Sequence, residues 1–143
     1  MNTLTISDEK AVTQSAKLLY TAKAHTTGGR EGGSSRTSDG RPGTPGTGTN
    51  PEQLLAVGWS ACFTSAIKIV AFQKKVKLPS DFSVDPEIEL WNGEGGYFLK
   101  ARLNVNLPGV DRDVARSILD GAHQTCPYSK ATRGNIDVEI YLL

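Results

Sequence analysis

The sequence predicts an α+β fold in which a largely antiparallel sheet is wrapped around a long buried central helix. Three observations lead there. Residues 50–76, NPEQLLAVGWSACFTSAIKIVAFQKKV, are the longest apolar run, and their apolar side chains occupy every side of a 3.6-residue wheel, the pattern of a helix covered all round. The segments before and after it alternate apolar and polar residues with period two, as half-buried strands do. Strands and helices do not recur as a βαβ repeat, so a mainly parallel sheet is not expected.

In chain order, residues 16–25 read as a strand, with Leu18, Tyr20, Ala22 and Ala24 on one face, Lys17, Thr21 and Lys23 on the other, and Leu19 breaking the alternation. TTGGREGG at 26–33 is turn material with Arg30 at its middle, and residues 34–38 offer a short second strand. RPGTPGTGT at 41–49 holds two prolines and three glycines and reads as loop. Asn50 then supplies an N-cap, Pro51 the first helical position and Gln53 the second partner of a capping box. At ~1.5 Å per residue the helix is ~37 Å long, enough to cross a small domain.

Beyond it, residues 84–91 give a strand with Ile88 and Leu90 opposed to Glu87 and Glu89, and NGEGG at 92–96 a hairpin turn. Residues 97–107 are the clearest strand, with Tyr97, Leu99, Ala101, Leu103, Val105 and Leu107 on one face. Asp111 caps a helix whose Val114, Ala115, Ile118, Leu119 and Ala122 keep helical spacing. Cys126 and Pro127 open a short helix closed by Gly134, and Ile136, Val138, Ile140 and Leu142 alternate as a last strand. Nothing divides the chain, so residues 1–143 read as a single domain.

Composition excludes some functions. A chain of 143 residues buries a core without disulfide staples, and 16 basic against 15 acidic residues leave a net charge of +1. That creates no field to draw nucleic acid or an anionic membrane, so neither is expected as a partner and small neutral molecules fit better. Lys68, Ser60 and Thr64 interrupt the apolar run, which argues against a membrane span. MNTLTISDEK has no basic and apolar leader, so a cytoplasmic location is expected. The two cysteines, at 62 and 126, are then neither staples nor a C-x-x-C motif.

Familiar motifs fail on inspection. Gly43 and Gly48 have phosphate-loop spacing, but Thr49 stands where the lysine belongs. Gly58-Trp59-Ser60-Ala61-Cys62 lacks the last glycine of a nucleophile elbow and lies inside a helix. His123-x-x-Cys126 with Cys62 and His25 would draw zinc ligands from unrelated elements, so no metal and no cofactor is expected.

The cysteines remain. Cys62 alone reads as a small hydrophobe in a buried helix, and burial beside Trp59 and Phe63 disfavours its thiolate unless a cation is supplied. Cys126, at a helix N-cap, faces unsatisfied amides and the positive end of a dipole, so local electrostatics make it the more reactive thiol. Glu52 is favoured as an anion at the second helical position, and Arg30 sits in a glycine-rich loop free to reach it. Taken alone, the plain reading of this pair is a stabilised helix end and a solvated arginine.

TGGREG at 27–32, GTNPEQLLAVGWSACF at 48–63 and AHQTCPYSKATRGNIDV at 122–138 closely resemble the organic hydroperoxide resistance proteins of the osmotically inducible protein C superfamily. Where those proteins carry an apolar-alternating strand between Arg36 and Thr49, this chain has SDGRPGTPGTG. The resemblance implies an intertwined homodimer and a thiol peroxidase that reduces organic hydroperoxides. It makes Cys62 the attacking cysteine, Cys126 the resolving cysteine, and Arg30 with Glu52 the activating pair, with recycling by a dihydrolipoyl-bearing protein or another dithiol. Trp59 and Phe63, close to Cys62 in sequence, would form the apolar wall of the substrate pocket. The alternatives are a peroxidase of the superfamily's broader-stress branch and a non-enzymatic thiol sensor or hydrophobic-ligand binder.

One conflict follows from helix geometry. Glu52 and Cys62 are ten residues apart on one helix, ~15 Å along its axis, further than one arginine easily spans. Two such helices packed antiparallel about a two-fold axis would set Glu52 of one chain beside Cys62 of the other, with Ala56, Gly58 and Ala61 permitting close approach; the alternative is a break at Gly58 that folds the first turns back within one chain.

Overall fold

The computed structural model describes residues 4–8, 16–37 and 49–143. Chain order is β1 (Leu4–Asp8), β2 (Lys17–Thr27), β3 (Ser34–Thr37), α1 (Pro51–Gln73), β4 (Ser83–Gly93), β5 (Gly96–Asn106), α2 (Arg112–Thr125), α3 (Pro127–Thr132) and β6 (Asp137–Leu142). The expected loop at 41–49 lies outside the described residues except for Thr49. The strands form one sheet in the order β1-β6-β5-β4-β2-β3. Every pairing is antiparallel except β5 with β6, which run parallel because α2 and α3 carry the chain back across between them. The α+β expectation holds, with β1 as an addition: LTISD is too short for its alternation to stand out, and pairing with β6 makes it a strand.

Leu19 breaks the alternation of β2 for a physical reason. Leu18 pairs with Trp91 and Tyr20 with Leu90, so β2 carries one extra residue there, a β-bulge. Beyond it the alternation is clean, and Ala22, Ala24 and Thr26 are buried. Ala22, Ile88, Ala101 and Val138 lie in one row across four strands, and all are buried against the helices. NGEGG closes the β4–β5 hairpin, pairing Gly93 with Gly96, and Gly96 has φ 99°.

Asn50 caps α1 as expected, its Oδ1 accepting from the Gln53 backbone N–H at 2.8 Å while its Nδ2 donates to the Tyr20 hydroxyl at 3.1 Å. Asp111 caps α2 by accepting from the N–H groups of Asp113 and Val114. Among the described helices, α1 alone is long and apolar enough to cross a membrane. Its Trp59, Phe63 and Ile67 are instead fully buried, and α1 packs on β2 and β4 with α2 at its side.

Within one chain the sheet covers α1 rather than wrapping it. Leu54, Ile69 and Phe72 are 60%, 49% and 84% exposed, so the expectation of a helix buried all round is corrected for the single chain. The reason is topological: a sheet with helices on one face covers one side of α1 and α2 a flank, leaving an apolar stripe outward.

Candidate active site

Cys62 lies where the buried face of α1 meets that open stripe, and three neighbouring elements converge on it. Cys126 ends α2 and precedes α3, with φ −64° and ψ 120° turning the chain sharply between them. Its backbone N–H bonds to Ala122 O at 2.8 Å, and its side chain makes no capping bond. The Cys126 thiol instead donates to Cys62 Sγ at 3.2 Å. The contact is held from both sides. Trp59 Nε1, one turn before Cys62, donates to Ser129 Oγ at 3.2 Å, and the ring of Tyr128 lies over Gly58, where a Cβ would come within 3.0 Å of its hydroxyl.

The third element is the β2–β3 turn. Gly28, Gly29 and Gly32 have φ between 71° and 84°, and the turn is so tight that a Cβ on Gly33 would fall 2.1 Å from Gly29 O. This fold of the loop brings Arg30 over the helix, where Arg30 Nη2 donates to Cys62 Sγ at 3.7 Å. A cleft of about 490 Å³ opens above the sulfur, with Arg30, Ser65, Ala66, Lys68, Ile69 and Pro127 in its wall.

Burial governs the Cys126 thiol. Burial pushes the Cys126 thiol up to about 11, and contact with Cys62 adds to the rise, against a smaller lowering by the Ser129 backbone N–H. The expectation that its N-cap position favours the Cys126 thiolate is therefore corrected: α3 has only 6 residues, and desolvation outweighs what one amide returns. Cys62 is the sulfur that reaches the cleft and the guanidinium, while Cys126 remains a protonated donor to it.

The OsmC-like protein family model matches residues 43–141. An organic hydroperoxide resistance protein of Xanthomonas axonopodis pv. citri (strain 306) is 46% identical over 136 residues, spanning 88% of this chain and 96% of that relative. This chain belongs to the OsmC-like family, on its organic hydroperoxide resistance branch. OhrA of Bacillus subtilis (strain 168), another organic hydroperoxide resistance protein, is 39% identical over 133 residues, 85% of this chain and 94% of the relative. The crystal structure of OhrB of Bacillus subtilis superposes with a TM-score of 0.65 at 36% identity, covering 87% of this chain and 98% of that one.

In this OsmC-like chain the structure brings together Cys62, Cys126 and Arg30, residues 64 and 32 apart in sequence from Cys62. It does not bring Glu52 to Arg30 within one chain. Ion pairs among the described residues include Lys23 with Glu87 and Arg102 with Glu87 and Glu139. Trp59 and Phe63 are both 0% exposed and do not line the cleft, so their expected place in the pocket wall is corrected. Helical spacing explains this. Ser65, Ala66 and Ile69 follow Cys62 at i+3, i+4 and i+7 along the cleft, whereas Phe63 is turned ~100° round the helix into the core.

The small residues meant for a second helix are also used differently. Ala56 is fully buried inside the chain, and Gly58 lies under Tyr128. Sequence reasoning missed Ser65 and Lys68. Their signal was present as a chain of helical neighbours: Ser65 follows Cys62 at i+3, and Lys68 follows Ser65 at i+3.

Proposed function

We propose that this protein is a cysteine-based thiol peroxidase that reduces organic hydroperoxides to alcohols. The observation that carries the reading is one sulfur, Cys62 Sγ, in contact with a second thiol at 3.2 Å and a guanidinium at 3.7 Å at the base of a cleft. Two charges ~4 Å apart attract by about 4 kcal/mol at an effective dielectric of ~20, before desolvation is subtracted. The Arg30 guanidinium and the Cys126 S–H both direct donor hydrogens at Cys62 Sγ.

The thiolate attacks the terminal peroxide oxygen. The O–O bond breaks, the leaving alkoxide takes a proton to become the alcohol, and Cys62 becomes a sulfenic acid. Cys126 then attacks that sulfur, water leaves, and the two cysteines are joined as a disulfide. A dithiol, by the family resemblance a dihydrolipoyl group, exchanges with the disulfide and is itself oxidised, returning both thiols. Ala66, Ile69 and Pro127 give the cleft apolar wall suited to an alkyl group. The protein acts in the cytoplasm as a homodimer, whose second copy covers the open stripe of Leu54, Ile69 and Phe72 and supplies Glu52 to Arg30.

The test is turnover. With dihydrolipoamide as reductant, cumene hydroperoxide is expected to be consumed catalytically, with kcat/KM at least about tenfold above that for hydrogen peroxide, the discrimination apolar contacts supply. No turnover beyond the thiols present, or equal rates with both peroxides, would contradict this reading.

A further inference from the structure

We propose that Ser65 is a positioning residue that holds Arg30 over Cys62; this rests on the peroxidase reading for its consequence in turnover, though not for its geometry. Arg30 is carried by a loop, and a long side chain is placed only as well as the backbone from which it starts. That backbone is tied to α1 at the arginine itself, where the Arg30 N–H donates to Ser65 Oγ at 2.9 Å. Gly29 is buried against the same hydroxyl, so closely that a Cβ there would lie 2.8 Å from Ser65 Oγ. One turn further along, Lys68 Nζ donates to Gly28 O.

The hairpin behind the loop is keyed to the helix on the other side of Cys62. Ser60 Oγ donates its proton to Ala56 O at 2.7 Å, so towards Thr26 Oγ1, at 2.7 Å, it must accept. Thr26 therefore donates to Ser60 and accepts from Ser35, which fixes the direction of a hydroxyl chain running from β3 through β2 to α1. Ser60 and Thr26 are 0% and 1% exposed, so water does not replace these bonds. The strands are thus registered on α1 two residues before Cys62, and the loop three residues after it. Of these ties, the one made by the Arg30 backbone acts most directly on the guanidinium. At 3.7 Å the contact with sulfur is already long, and a small outward drift of the loop removes it.

The experiment compares Ser65→Ala and Ser65→Thr in the full-length protein, each alone and combined with Arg30→Ala. It reads the rate of Cys62 oxidation by cumene hydroperoxide, the pH profile of Cys62 alkylation by iodoacetamide, and trypsin cleavage after Arg30. Alanine suits a helix interior, so the fold is retained. Ser65→Ala is expected to slow both reactions about five- to tenfold, the effect of losing one such hydrogen bond. It should also move the alkylation midpoint to higher pH and quicken cleavage at Arg30. Ser65→Thr, which keeps the hydroxyl, should stay within about twofold of wild type, and in the Arg30→Ala background Ser65→Ala should cost less than about twofold.

Equal losses with and without Arg30, or no change in alkylation and cleavage, would overturn the assignment. A wild-type protein that alkylates in this pattern but reduces no peroxide would leave Ser65 in its role and overturn the peroxidase reading.

Discussion

Cys62→Ser is expected to abolish peroxide reduction, whereas Cys126→Ser should consume about one equivalent of peroxide and stall. The two sulfurs touch, so proximity does not distinguish them, but their surroundings do. Cys62 lines the cleft and accepts from Arg30, while Cys126 is fully buried with its thiol pushed up to about 11 by desolvation. At neutral pH Cys126 is a thiol, and thiols are poor nucleophiles towards peroxide. A serine hydroxyl at 62 ionises far less than any thiol and forms no sulfenic acid, so the rate should fall by at least about a thousandfold. Without Cys126, the first oxidation proceeds, but the sulfenic acid finds no second sulfur and persists or over-oxidises. Mass spectrometry of both variants after one equivalent of cumene hydroperoxide checks this: +16 or +32 on Cys126→Ser and no change on Cys62→Ser. The reverse pattern would mean that the N-cap dipole outweighs burial after all.

The second large effect is a recovery. Glu52→Ala and Cys62→Ser proteins, each nearly inactive, should regain about a quarter of wild-type activity when unfolded and refolded together. Glu52 stands ten residues before Cys62 on α1 and makes no ion pair with Arg30 within the chain. Along the helix axis the two backbones are ~15 Å apart. Leu54 near the start of the same helix and Ile69 and Phe72 near its end are exposed on one side, and a second α1 packed antiparallel across them would bring its own Glu52 towards this chain's Arg30. Random pairing makes half the dimers mixed, and each mixed dimer has one intact site of two, hence a quarter of the activity. Mixed dimers seen by native mass spectrometry with no recovered activity would place the whole site in one chain.

The elements legible in the sequence were those whose signal is local. Asn50, Pro51, Asp111 and the glycines of NGEGG act on their immediate neighbours, and the structure puts α1, α2 and the β4–β5 hairpin where these residues place them. Leu19 was visible as an interruption, and only the pairing of β2 with β4 shows it to be a bulge. The all-round apolar wheel of α1 implies complete burial; periodicity reports what a helix needs covered, not whether the same chain covers it.

At the site, residue types were legible and long-range consequences were not. Cys126 looked activated because its N-cap position is a local feature, whereas its burial comes from α1 packed against it, a contact across 64 residues. Trp59 and Phe63 looked like pocket wall because they neighbour Cys62 in sequence, but on a helix the cleft is shared with i+3, i+4 and i+7. Ser65 carries no motif of its own, and its importance arises only when the Arg30 loop folds onto it.

The most direct measurement is a non-reducing peptide map of fully reduced protein given one equivalent of cumene hydroperoxide without oxygen. The two sulfurs start 3.2 Å apart and need close only to the ~2.05 Å of a disulfide. The expected result is one intrachain link between the Cys62 and Cys126 peptides, two thiols lost per peroxide, and full return of both thiols on adding dihydrolipoamide. Sulfinic acid at Cys62 with a free Cys126, or links only between chains, would contradict the mechanism.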